Sequence, residues 1–271
     1  MTLAVIGGTG VYDPTWLRDP EEVTVATPFG GARLVQGALF AGGTPVYFMN
    51  RHGAGHQLPP HLVNYRANVW ALRALGVTRV LATAAVGSLN PAMPPGSMVF
   101  CDQFLDFTKS RPTTFFDGGE AGVVHTDMTE PYCPDCRRVL AATAQTLGLP
   151  AAAAGTYVAT EGPRFESPAE IRAYRILGGD LVGMTGVPEV VLARELGLCY
   201  AGVALVTNFA AGISQRALTH SEVLTVMADN VARLRTLLQT ALQELAGSPR
   251  CECQATLVPL DGNRAAVDRQ N

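Results

Sequence analysis

Apolar residues along the chain fall into short runs and longer helical stripes, separated by turns rich in glycine or marked by proline. Leu3 to Gly10 reads as a buried strand running into Gly7-Gly8-Thr9-Gly10. Ala32 to Leu39 and Thr44 to Met49 read as a strand pair turned at Gly42-Gly43, and Thr78 to Thr83 as a central strand that continues into the small residues Ala84-Ala85-Val86-Gly87-Ser88. Further strands are expected at Ser97 to Asp102, Ala154 to Ala159, Asp180 to Val182 and Leu198 to Thr207, the last being the most apolar. The helical period recurs between them. Val63, Ala67, Trp70, Ala71, Ala74 and Leu75 form one stripe of a helix closed by Gly76; other helices are read at Cys136 to Leu147, from Pro168 onward, and from Glu189 to Leu196. The last helix opens at Thr219-His220-Ser221-Glu222 and buries Leu224, Met227, Ala228, Val231, Leu234, Leu238, Leu242 and Leu245. Strands alternating with helices predict an α/β fold. The polar stretch from Phe104 to Pro131 has few periodic apolar positions and is read as a long functional loop or an oligomer arm.

Composition narrows this picture. A chain of 271 residues can form one large α/β domain, and 48% hydrophobic with 16% charged residues allows a sizeable core. A net charge of -3 provides no basic field for an extended nucleic acid, although a small anion can still bind through local donors. No run approaches the ~20 apolar residues of a membrane span, and the chain starts on a strand-like segment rather than a charged leader, so a cytoplasmic location and no membrane partner are expected. Residues 1–246 are read as one domain and 247–271 as a polar tail, either disordered or pinned by Cys251 and Cys253. Of the six cysteines, Cys133-Pro134-Asp135-Cys136 and Cys251-Glu252-Cys253 have short spacings that allow zinc. Separate thiols in a reducing cytosol are favoured, because a C-x-C pair splays poorly around a tetrahedral ion; no metal is therefore assigned, and disulfides remain a third reading.

Candidate chemistry collects at strand ends. Gly7 to Gly10 offers backbone N–H groups and the Thr9 hydroxyl to an anion, but a bare GGTG also suits a simple turn. A dinucleotide fingerprint would need glycine at Asp13. Arg51-His52-Gly53, just past another strand end, adds donors suited to phosphate. Between the strand at Ala154 to Ala159 and a helix capped by Ser167, Pro168 and Glu170, the loop Thr160-Glu161-Gly162-Pro163-Arg164-Phe165-Glu166 sets an aromatic ring beside a carboxylate. That pair makes one wall of a heterocycle pocket. Asn208, ending its strand, offers an acceptor and a donor to a lactam-like edge, or else only turns the backbone. His125 is a lone loop histidine, for which solvent exposure is expected.

Five motifs together resemble the trimeric nucleoside phosphorylases, the family of purine nucleoside phosphorylase and methylthioadenosine phosphorylase. They are Ile6-Gly7-Gly8-Thr9-Gly10, Arg51-His52-Gly53, Asn64-Tyr65-Arg66-Ala67-Asn68, Thr160 to Phe165, and Met184-Thr185-Gly186-Val187-Pro188-Glu189. The resemblance runs from Val5 to about Leu245 and implies a single α/β domain with a central mixed, partly barrel-like β-sheet flanked by helices. It implies a homotrimer or a dimer of trimers, with active sites bordering the subunit interfaces and no cofactor beyond inorganic phosphate as co-substrate. Phosphate would lie against Thr9, Arg51, His52, the backbone at Ala84 and Ala85, and Thr185. The methylthioadenosine enzymes carry threonine at the position of Ala84, so one side-chain contact is missing here. By the same resemblance Phe165, Met184 and Thr207 would hold the nucleoside, and His125 would reach a neighbouring subunit's sugar pocket.

Three positions bear on the substrate. Adenine-specific members of the family use two aspartates where this chain has Asn208 and Ala210, and serine where it has Glu166. Asn208 would donate to O6 and accept from a protonated N7, while Glu166 would accept from N1–H. Facing adenine, which has no N1–H, Glu166 would meet a lone pair, a mismatch of about 1–3 kcal/mol. His220 matches the histidine that binds the ribose 5'-hydroxyl. The expected activity is reversible phosphorolysis of inosine or guanosine, with Asn208, Glu166 and His220 as the catalytic set; 5'-methylthioinosine is the runner-up substrate, and a non-catalytic nucleoside sensor a third reading.

Overall fold

The computed structural model describes residues 2–8, 17–39, 43–53, 55, 57–119, 122–213, 220–247, 250–256 and 266–269. The most apolar runs become the innermost strands. These are β1 (Thr2–Gly7), β5 (Val77–Ser88) and β11 (Cys199–Phe209), and most of the residues on them are buried. Strands with both faces covered need such near-continuous apolar sequence.

The strands form a mixed sheet that branches at β5. One arm runs from β5 through β1 to β4 (Pro45–Asn50), β3 (Gly30–Ala38), β2 (Arg18–Thr27) and the edge strand β12 (Ala266–Arg269). A second arm leaves the carboxyl end of β5 through β10 (Leu181–Gly183), β9 (Thr156–Thr160) and β7 (Gln103–Phe107). β11 pairs in parallel with β5 along its length and continues to β6 (Met98–Phe100) and the short β8 (Ala151–Ala152). Helices α1 (Tyr65–Ala74), α2 (Pro134–Thr146), α3 (Pro168–Ile176), α4 (Gly186–Glu195) and α5 (His220–Glu244) flank this sheet. α2 and α5 pack on each other and on β11, while α1 and α4 pack together, α1 also against β3 and β2 and α4 also against β11.

Several expectations change. β2 and β12 fall outside the predicted strands, and β7 occupies part of the stretch read as a loop. Within the segment read as a tail, disordered or pinned by Cys251 and Cys253, residues 250–256 lie against the core with Cys253 buried, and Ala266–Arg269 pairs antiparallel with β2. Helix α2 starts earlier than predicted, capped by Cys133. The capping box at α3 forms as read, with Ser167 Oγ accepting from Glu170 N and the Glu170 carboxylate accepting from Ser167 N. The corresponding box at Thr219 and Glu222 lies outside the described residues.

Candidate active site

The gap between the two arms of the sheet creates the site. β1 pairs with β5 as far as Ala82, and β10 takes over only at Gly87, so among the described residues the intervening edge of β5 has no neighbouring strand. Thr83 O points into this gap and accepts from Arg51 Nη1 at 2.8 Å. Backbone direction alternates along a strand, so two residues later the Ala85 N–H faces the same gap. A cavity of about 430 Å³ opens there. Gly8, Arg51, His52, Ala84, Ala85 and Thr185 line one part of it, and Phe165, Glu166, Met184, Thr207 and Asn208 also border it.

On the anion side, Arg51 and Glu189 form a fully buried pair. Nε and Nη2 of Arg51 donate to the two Glu189 oxygens at 2.7 and 2.8 Å, and Tyr200 O–H donates to Glu189 at 2.7 Å. Burial alone would lower the Arg51 pKa, but the charge and hydrogen bonds of Glu189 outweigh it and hold the guanidinium above its ordinary value. The fork is therefore spent on protein, and only outer N–H groups remain for a ligand. His52 Nδ1 lies 2.8 Å from Leu58 O and so carries its proton there, which leaves Nε2 a donor only when the imidazole is charged. Thr185 sits at the N-cap of α4 without a side-chain capping bond. The N–H groups of Thr185 and Gly186 instead donate to Tyr157 O–H, fixing the turn.

On the opposite wall, a register shift between Val206 and Asn208 in the β5–β11 ladder brings two successive side chains, Thr207 and Asn208, to the cavity. Asn208 is held in one orientation, with Oδ1 accepting from Thr207 O–H at 2.7 Å and Nδ2 donating to Phe209 O at 3.0 Å. One amide hydrogen and one lone pair stay available to a ligand. A Cβ on Gly87 would stand 3.2 Å from Asn208 Nδ2, so this position keeps the carboxamide's space open.

Phe165 is 44% exposed at the cavity wall, and beside it Glu166 accepts from Thr160 O–H at 2.7 Å. The loop turns through Gly162 at φ +65°, where a Cβ would fall 2.6 Å from Met184 Sδ. Burial pushes the Glu166 carboxyl above the ordinary 4.5, only partly offset by the Thr160 bond. Such a group holds its proton more tightly folded than unfolded, so its ionisation lowers stability as pH rises from 4.5 through the raised value. If Glu166 works as the ionised acceptor for a base, kcat/KM should fall as pH drops through that raised value. Phosphate titrates in both enzymes alike, so Glu166→Gln should remove this acid limb and keep the rest; an unchanged limb in a pH–rate profile would clear Glu166 of it.

Sequence reasoning missed Arg111. It is buried, and its terminal nitrogens donate to the carbonyls of Met184 and Val187 on one loop and of Thr160 and Glu161 on the other, at 2.6 to 3.1 Å. It ties both loops that border the nucleoside side of the cavity, yet it lies in the aperiodic stretch after β7, where no local signal marks it. Three of the sequence candidates are not brought here. His125 is exposed and does not line this chain's cavity. Thr9 lies outside the described residues, and although His220 begins α5, its side chain is not among those described.

Comparison with known proteins bears directly on this arrangement. Residues 2–243 match the family model described as the phosphorylase superfamily. The chain belongs to that superfamily. Among its relatives, the 6-oxopurine nucleoside phosphorylase of Pyrococcus furiosus is 53% identical over 94% of this chain and 97% of its own. A probable 6-oxopurine nucleoside phosphorylase of Dictyoglomus turgidum is also 53% identical, over 95% and 97%. A probable S-methyl-5'-thioinosine phosphorylase of Methanopyrus kandleri is 51% identical, over 94% and 97%. Among solved structures, methylthioadenosine phosphorylase from Schistosoma mansoni in complex with adenine superposes with a TM-score of 0.88 at 36% identity, covering 94% of this chain and 95% of its own. As in other members of this superfamily, the chain carries one α/β unit around a mixed sheet, and no described helix is long and apolar enough to cross a membrane.

Proposed function

We propose that the chain catalyses reversible phosphorolysis of 6-oxopurine nucleosides, giving the free base and α-ribose 1-phosphate. The observation that carries this reading is that Glu166 and Asn208 border one cavity, an acceptor and a fixed carboxamide. Glu166 accepts from N1–H, and Asn208 donates to O6 and accepts from N7. Relatives named as 6-oxopurine nucleoside phosphorylases, at 51–57% identity, support the same choice.

Phosphate lies at Gly8, Arg51, His52, the Ala85 N–H and the Thr185 hydroxyl. As the glycosidic bond lengthens, the sugar gains positive charge and the purine negative charge. The phosphate dianion stabilises the first, and Asn208 the second. Catalysis is then positioning and electrostatics, without a covalent enzyme intermediate, metal or organic cofactor in the reaction. The enzyme works in the cytoplasm as a homotrimer or dimer of trimers, with His125 turned toward another copy's cavity and Leu58 and Phe165 leaving apolar surface exposed at the cavity wall.

A second reading, S-methyl-5'-thioinosine as substrate, is favoured by the relative of that name. It shares the base and differs at the 5' carbon, where His220 is the residue concerned. Both readings meet in one assay of inosine, guanosine, methylthioinosine, methylthioadenosine and adenosine. Phosphate-dependent release of hypoxanthine or guanine should dominate; faster adenine release would overturn the roles of Glu166 and Asn208.

A further inference from the structure

Remote from the cavity, the fold gathers four cysteines from three places in the chain. Cys133 caps α2, Cys199 opens β11, and Cys251 and Cys253 follow α5. Their sulfur atoms all lie within 4.8 Å of one another, with Cys133 to Cys251 at 3.6 Å and Cys199 to Cys251 at 3.4 Å. Four sulfurs bound at ~2.3 Å to a tetrahedral ion stand about 3.8 Å apart, whereas a disulfide holds its pair at about 2.05 Å. We propose that Cys133, Cys199, Cys251 and Cys253 form a structural Zn²⁺ site that staples the segment behind α5 to the start of β11 and the N-terminus of α2.

This grouping departs from the separate thiols expected from spacing. Sequence pairs Cys133 with Cys136, but the fold places the Cys136 sulfur outside the set and uses its backbone N–H, which donates to Cys133 Sγ at 3.5 Å. The poor splay of a C-x-C pair is relieved because the chain bends at Cys251 and enters a short 3-10 turn at Cys253. Cys133, Cys199 and Cys253 are buried and Cys251 is partly so, which gives a closed set of four donors and no open position, the pattern of a structural rather than a catalytic zinc.

The surroundings suit the negative charge of four thiolates. The positive end of α2 meets Cys133. An entering Zn²⁺ displaces the thiol protons to solvent. A buried scaffold holds the adjoining segment: Arg79 donates to Leu245 O at 2.7 Å and to Asp135 at 3.1 Å, and Arg250 N donates to the same Asp135 oxygen at 3.1 Å.

The test is metal analysis of the full chain, purified under reducing conditions without a metal-affinity step and then titrated with Zn²⁺. The proposal expects one tightly held zinc per chain, and six reactive thiols once the protein is denatured with chelator. Co²⁺ in its place should give the absorption of a tetrahedral thiolate complex. Cys199→Ser should lose the ion and Cys136→Ala should keep it. Removing zinc should lower Tm by about 5–10 °C, while kcat/KM for inosine at low temperature stays within a few fold, because Asn208 lies some nine residues, about 30 Å, along β11 from Cys199. No zinc uptake by the fully reduced chain overturns the proposal, as do disulfides that account for these four sulfurs, iron as the tightly bound ion, or retention of zinc by Cys199→Ser. Measuring the wild-type chain keeps the test decisive even if a variant fails to fold.

Discussion

Asn208→Ala should lower kcat/KM for inosine by about 10²–10³-fold, the usual cost of deleting one fixed donor to charge that develops in a transition state. The loss should fall mainly on kcat, since the ground-state purine gains little from a group whose partner becomes basic only as the glycosidic bond breaks. Folding should change little. Asn208 is half-buried, and when its oxygen is removed the Thr207 hydroxyl can still donate to Val86 O, 3.2 Å away. Steady-state kinetics beside a thermal melt separates the two effects. A variant within a few fold of wild type would mean that Asn208 does not carry the developing charge.

The second large effect concerns stability. Glu189→Ala leaves the buried Arg51 guanidinium without its bidentate partner and Tyr200 O–H without its acceptor, which should cost about 3–5 kcal/mol. For a chain of this size that lowers Tm by roughly 6–20 °C. Glu189→Gln keeps an acceptor for Tyr200 but not the charge, so it should fall between the two. Because Arg51 also borders the cavity, KM for phosphate should rise in both variants. Denaturant melts that superimpose on wild type would show that the pair contributes nothing net.

Much of this site was legible because it is written in local sequence. A strand buried on both faces needs a mostly apolar run, so β1, β5 and β11 were readable from residues alone. The box at α3 is as local: Ser167 and Glu170 satisfy each other's backbone within one turn. Partly exposed strands were harder. β2 and β7 are half exposed, with charged and apolar positions mixed, and they become strands through hydrogen bonds to neighbours rather than through burial.

The residues of the chain by themselves determined the α/β class, the loop that sets Phe165 beside Glu166, the strand that ends in Thr207 and Asn208, and the motifs shared with the nucleoside phosphorylases. Only the tertiary structure decided which groups share a site. Glu189 meets Arg51 across 138 residues, Arg111 joins two loops from an aperiodic stretch, and Cys199 and Cys251 join Cys133 in place of Cys136. Periodicity reports how each segment buries its own face. It holds no information on which distant polar side chain fills a buried partner's hydrogen bonds, and that pairing is fixed only when the sheet branches at β5 and closes around the gap.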